Sequence, residues 1–146
     1  MAIYNSVQKT YPFGPVPTIG EGGTVRVARG KFTVSTQTLT SADTINMLDL
    51  PQNARIVGAT LKADKVDSSN TLRLNVGISG NTTLLFTGSG VGSGATSFTS
   101  AVNASGMDYL TTARKTTVQI VPSANAAGAS AGDIVLMVQY VVEQPA

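Results

Sequence analysis

Cysteine, histidine and tryptophan are absent from this sequence. Without cysteine there are no disulfide staples, thiolate nucleophiles, zinc–cysteine sites or iron–sulfur ligation. Without histidine the commonest general base and the usual transition-metal ligand are missing. Neither a Ser-His-Asp nor a Cys-His arrangement can be built from what remains. Catalysis would rest on eight carboxylates and ten basic groups, so the expectation is a chain that is not an enzyme and holds no cofactor and no metal.

Charge is also scarce. Charged residues make up 12% of the chain against 42% hydrophobic, about half the usual charged share. That is too apolar for a disordered tail, and 146 residues is the length of one ordinary domain, which buries roughly two-thirds of its unfolded surface. The net charge of +2 is a small imbalance rather than a basic face, so nucleic acid is not an expected partner. The longest apolar run, Ile134 to Val138, is strand-sized and far short of a bilayer span, so no membrane partner is expected. The opening MAIYNSVQKTYPFGPVP has no charged start followed by an apolar stretch. No secretory signal is therefore expected, and synthesis in a cytoplasm is the expectation.

Residues 1–23 differ from the rest. Pro12, Pro15 and Pro17 fix backbone angles and remove donors, while Gly14, Gly20, Gly22 and Gly23 permit angles that side chains forbid. Such a segment reads as an extended arm, and it carries Ile3, Tyr4, Val7, Tyr11, Phe13, Val16 and Ile19. An arm this apolar is expected to lie on its own domain or on another chain. The domain proper is expected over 24–146.

From Thr24 onward the pattern is strand after strand. Val25 and Val27 alternate before Gly30, and Phe32 and Val34 after it. Ile45 to Leu50 stops at Pro51, and Ile56 to Ala63 follows. Leu72, Leu74, Val76 and Ile78 form the cleanest period-two stripe, with Gly80-Asn81 as a turn into Thr82–Thr87. Phe98–Val102 and Tyr109–Thr112 are weaker candidates. Thr116–Pro122 and Asp133–Val142 are stronger, and the last is apolar on both faces, which predicts a central strand covered on both sides. Ser41–Leu50 and Ser105–Ala113 have room for one or two helical turns, the second with Ser105 and Asp108 as a helix start. About eight short strands with regular turn signals describe an all-β chain, a β-sandwich of jelly-roll-like topology, with an extended Pro/Gly-rich N-terminal arm.

Local clusters have ordinary explanations. The glycine-rich 88–97 lacks the Lys and helix start of a phosphate loop and reads as a mobile hairpin tip. Asp64, Asp67 and Asn70 do not follow calcium-loop spacing and read as a solvated turn. Arg26, Arg29 and Lys31 read either as edge-strand charge that blocks unwanted pairing or as a contact with an acidic protein surface.

Three segments together resemble a known group: DTINMLDLPQNARIVGATLK at 43–62, LRLNVGISG at 72–80 and GDIVLMVQY at 132–140. Over residues 40–142 the succession is similar to small virion structural proteins of tailed bacteriophages, most of all capsid decoration, or cement, proteins. The resemblance implies a β-sandwich on the exterior of an icosahedral capsid, often a homotrimer, that bridges neighbouring major capsid proteins with the help of an N-terminal arm. Tyr4, Tyr11, Pro12, Phe13, Pro15 and Val16 of the arm, with Arg26, Arg29 and Lys31, are then the candidate partner contacts. The competing expectation is a carbohydrate- or receptor-binding sandwich of a phage tail, fibre or host-surface protein. An aromatic share of 5% without tryptophan speaks against it. A small carboxylate-only enzyme such as a glycosidase is a further rival.

Overall fold

A computed structural model describes residues 24–143. Eight strands form two antiparallel four-stranded sheets packed face to face. They are β1 (Arg26–Val34), β2 (Ile45–Pro51), β3 (Ala54–Ala63), β4 (Arg73–Ile78), β5 (Asn81–Ser89), β6 (Ser97–Thr99), β7 (Lys115–Ala124) and β8 (Gly132–Val142). Sheet A has the order β1-β8-β3-β6 and sheet B the order β2-β7-β4-β5. Successive strands thus tend to alternate between sheets, with the β4–β5 hairpin inside sheet B, which is the jelly-roll arrangement of two Greek keys. The all-β sandwich expected from the sequence is what the chain forms. The expected arm, residues 1–23, lies outside the described residues.

The core comes from the inward phase of each strand. Leu61, Ile134, Leu136 and Val138 from sheet A meet Leu50, Leu74, Val76, Val118 and Ile120 from sheet B, all essentially without solvent contact. Each such side chain contributes about 1.5–3 kcal/mol on burial. Leu72, Leu74 and Val76 face inward as their period-two stripe requires. The β4–β5 turn is Ser79-Gly80, with Ile78 paired to Asn81 and Gly80 at φ +88°, one residue earlier than its sequence signal.

Several expectations are corrected. β1 runs unbroken through Gly30, so Val25 and Val27 fall on the face opposite to Val34 and are exposed, Val27 by 56%. No described residue is helical. Residues 104–108 form turns instead, and Asp108 adopts φ +67°, a left-handed conformation that a helix cannot continue through. The 109–112 segment makes only one bridge, Leu110 to Arg55, although Ile56 donates to the Tyr109 carbonyl and Thr111 to that of Ala54.

The turn read as solvated and the loop read as mobile are both anchored in the fold, at Asp67 and at residues 91–93. Asp67 is fully buried. Its carboxylate accepts from the backbone N–H groups of Leu72 (2.8 Å), Ala127 (2.8 Å), Thr71 (2.9 Å) and Ser69 (3.1 Å), and from the Thr71 hydroxyl at 3.1 Å. Burial alone would push this carboxyl up, but those four N–H groups outweigh it and hold it well below the usual carboxylate range. In the glycine-rich loop Val91, Gly92 and Ser93 are buried. The Gly92 carbonyl accepts from Val66 N–H at 2.9 Å, and Ser93 Oγ donates to Asn70 Oδ1 at 2.7 Å. Together these contacts close one end of the sandwich.

Candidate functional site

The pleat that sends Leu136 and Val138 inward sends Val135, Met137, Gln139 and Val141 of β8 outward. Strand register extends that outer face across sheet A. One row runs Lys31, Val135, Lys62, Phe98 through all four strands. The next runs Arg29, Met137, Thr60, and a third Val27, Gln139, Gly58. Phe98 is 71% exposed, and Val57, the extra residue of the bulge in β3, is exposed beside the third row. β8 is central, as expected, but no described strand covers its second face, and Val135, Met137 and Val141 are only half-buried. Cations and apolar groups therefore alternate over one broad surface, with Asp133 beside Lys31 at one end.

The outer face of sheet B is chemically different. Asn75, Thr87, Thr117, Gln119 and Ser123 dominate it, with a cation, Lys115, and an acid, Asp49, which accepts from Thr117 Oγ1 at 2.7 Å. Neutral amides and hydroxyls of this kind are well solvated and demand no partner.

Of the sequence-predicted contacts, Arg29 and Lys31 stand on the outer face of sheet A, and Arg26 starts the same edge strand. Tyr4, Tyr11, Pro12, Phe13, Pro15 and Val16 lie outside the described residues. The cationic face also includes Lys62, which β3 brings level with Lys31 across β8. Two residues 31 apart carry no sequence signal of adjacency. Phe98 is likewise placed by pairing alone.

The distribution of charge is one-sided. Every described carboxylate has an internal partner. Asp43 accepts from Thr40 N–H at 2.8 Å, and Asp64 from Asp133 N–H at 3.1 Å. Asp133 accepts from Thr33 Oγ1 at 2.8 Å and lies 3.7 Å from Lys31 Nζ. Asp108, 3.4 Å away, and Glu143 share the Arg55 guanidinium, whose hydrogen bonds hold the Glu143 carboxyl below its ordinary range. Arg26, Arg29 and Lys62 have no salt bridge among the described residues, nor do Lys65, Arg73, Arg114 and Lys115 away from the outer face of sheet A.

Other places are less distinctive. An open groove of about 470 Å³ lies between Phe32, Leu39, Asp43 and Ile45 at the edge of the sandwich. Among the described residues no three acidic side chains converge as a metal site would require.

The eight-stranded jelly roll is an architecture found in viral capsid proteins and in lectins alike. A chain of the cyanophage Pam1 capsid asymmetric unit matches with a TM-score of 0.79 and 30% identity, covering 98% of this chain and 100% of that one. A chain of the capsid of Ralstonia phage GP4 matches with a TM-score of 0.72 and 26% identity, over 88% of this chain and 91% of that one. At 18% identity, a chain of the acid-stable capsid of Helicobacter pylori bacteriophage KHP30 shares the fold, with a TM-score of 0.61 over 84% of this chain and 91% of that one. No protein-family model matches, and none of the curated proteins does. The chain belongs to the phage capsid-associated proteins.

Proposed function

We propose that this protein is a cement: it binds the exterior of the phage capsid, bridges neighbouring major capsid proteins and so holds the head closed. The observation that carries the reading is the set of exposed apolar side chains Val27, Val57 and Phe98 among the cations of sheet A's outer face, whereas the strands of sheet B expose no large hydrophobic group. A free-standing domain gains nothing from leaving Val27, Val57 and Phe98 in water, whereas a domain that docks by one face gains their burial.

The mechanism is mass action. A protein that binds only the closed lattice lowers the free energy of that lattice by an amount that grows with the logarithm of its free concentration relative to its Kd. Residues 24–146 form the docking module, and residues 1–23 reach a neighbouring subunit. Prolines at 12, 15 and 17 limit the entropy lost when such an arm is fixed, and Tyr4, Tyr11 and Phe13 bring large contact area. Assembly as a homotrimer would engage several capsid subunits at once and raise the effective concentration of each contact.

Removal of residues 1–23 tests the reading. The truncated chain should remain folded and decorate expanded heads at reduced occupancy. Full occupancy without the arm would refute the bridging role.

A further inference from the structure

We infer that the outer face of sheet A, centred on Arg29, Lys31 and Lys62 with Met137 and Phe98 between and beside them, docks onto an acidic, apolar-studded protein surface that is not part of another copy of this domain. The inference rests on the cement reading and deepens it, because it assigns the face that meets the shell and the chemistry that the shell must offer.

The first argument is charge complementarity. Lys31, Val135, Lys62 and Phe98 lie in one row, so the partner must present carboxylates spaced by apolar groups. A nucleic-acid backbone offers a continuous line of phosphates, against which Val135, Met137 and Phe98 would be desolvated without a matching surface. A protein surface supplies both components.

The second argument concerns where the carboxylates come from. Two copies of this face laid together would oppose cations to cations, which excludes a self-complementary contact. Another face of a second copy offers only Asp43, Asp49 and Asp64 without a cationic partner among the described residues, and these stand on separate turns and strands. Asp43, Asp49, Asp64 and Asp133 are engaged by Thr40, Thr117, the Asp133 amide and Lys31, Asp67 is buried, and Asp108 and Glu143 are held by Arg55. Asp133, Asp108 and Glu143 are paired with the cations Lys31 and Arg55, whereas Arg29 and Lys62 have no such partner among the described residues.

Two variants matched in net charge test this on the full-length chain. Arg29→Gln with Lys62→Gln removes two positive charges from sheet A. Gln119→Glu with Ser123→Glu adds two negative charges to the outer face of sheet B. Binding is read by co-sedimentation with expanded heads of the parent phage that lack this protein, at two salt concentrations. The inference expects roughly tenfold weaker binding and a flatter salt dependence for the sheet A variant. The sheet B variant should bind within about twofold of wild type. Equal losses in both would reduce the effect to net charge and overturn the face assignment, as would unchanged binding in the sheet A variant. Wild-type binding to duplex DNA, lost in the sheet A variant alone, would reassign the face to nucleic acid. Failure of the wild-type chain to bind heads at all would instead sink the cement reading, and the docking face with it.

Discussion

Gly30 of β1 lies directly against the backbone of Met47 of β2, so that a Cβ at position 30 would overlap the Met47 carbonyl. Here the edges of the two sheets come together, β1 being an edge of sheet A and β2 an edge of sheet B. Because the obstacle is backbone, it cannot rotate away. Gly30→Ala should therefore destabilise the fold by about 1–3 kcal/mol through overpacking, with the urea midpoint moving to lower concentration. A midpoint equal to that of wild type would show that the sheets part there at no cost.

The buried Asp67 clasp makes stability depend on acid. Its carboxyl titrates lower in the folded chain than in the unfolded one, so its contribution is fully present above the unfolded carboxylate range, near pH ~4. That contribution is lost progressively as the pH falls toward the folded value. Asp67→Asn should lower unfolding free energy at neutral pH by about 1.5–3 kcal/mol. The gap between wild type and variant should narrow below pH ~4. Urea unfolding from pH 7 to pH 2 reads both, and a gap that widened on acidification would contradict the clasp.

Period-two patterning made most of the sandwich legible. Leu72, Leu74 and Val76, or Val118 and Ile120, are buried where alternation places them. What alternation does not carry is phase and partner. Val25 and Val27 alternate as cleanly as Phe32 and Val34, yet lie on the other face, because β1 runs unbroken through Gly30 and odd and even positions of one strand point opposite ways. Asp67 resembles any acid in a polar turn until the fold brings Ala127 N–H to within 2.8 Å of it. Lys62 and Phe98 join the candidate interface only through strand pairing. Of the proposed interface, Arg29 and Lys31 stand close together in one strand of the sequence, Arg26 falls in the opposite phase of that strand, and the remaining residues are long-range.

The two faces of β8 should separate stability from binding. Leu136 is fully buried, and Leu136→Ala should cost about 2–5 kcal/mol of folding free energy. Its neighbour Met137 points outward between Arg29 and Thr60. Met137→Ala should cost less than about 1 kcal/mol of folding free energy while weakening attachment to heads. Paired thermal unfolding and co-sedimentation of the two variants check the assignment. The account fails there if Met137→Ala unfolds the chain as readily as Leu136→Ala.

Assembly is testable by mass alone. The cement proposal expects a trimer of about 45 kDa, three copies of a 15.0 kDa chain, by light scattering of the purified full-length protein. A species that stays at the single-chain mass at all accessible concentrations would remove the multivalent element of the mechanism.

The central claim is that this jelly roll grips the shell by one face from outside, and a cryo-electron microscopy reconstruction of the intact particle tests it most directly. The account predicts density for the sandwich on the outer capsid surface, with Arg29, Lys62 and Phe98 against the shell and Asn75, Gln119 and Ser123 toward solvent. Density only at the tail, or a sandwich seated by the outer face of sheet B, would contradict it.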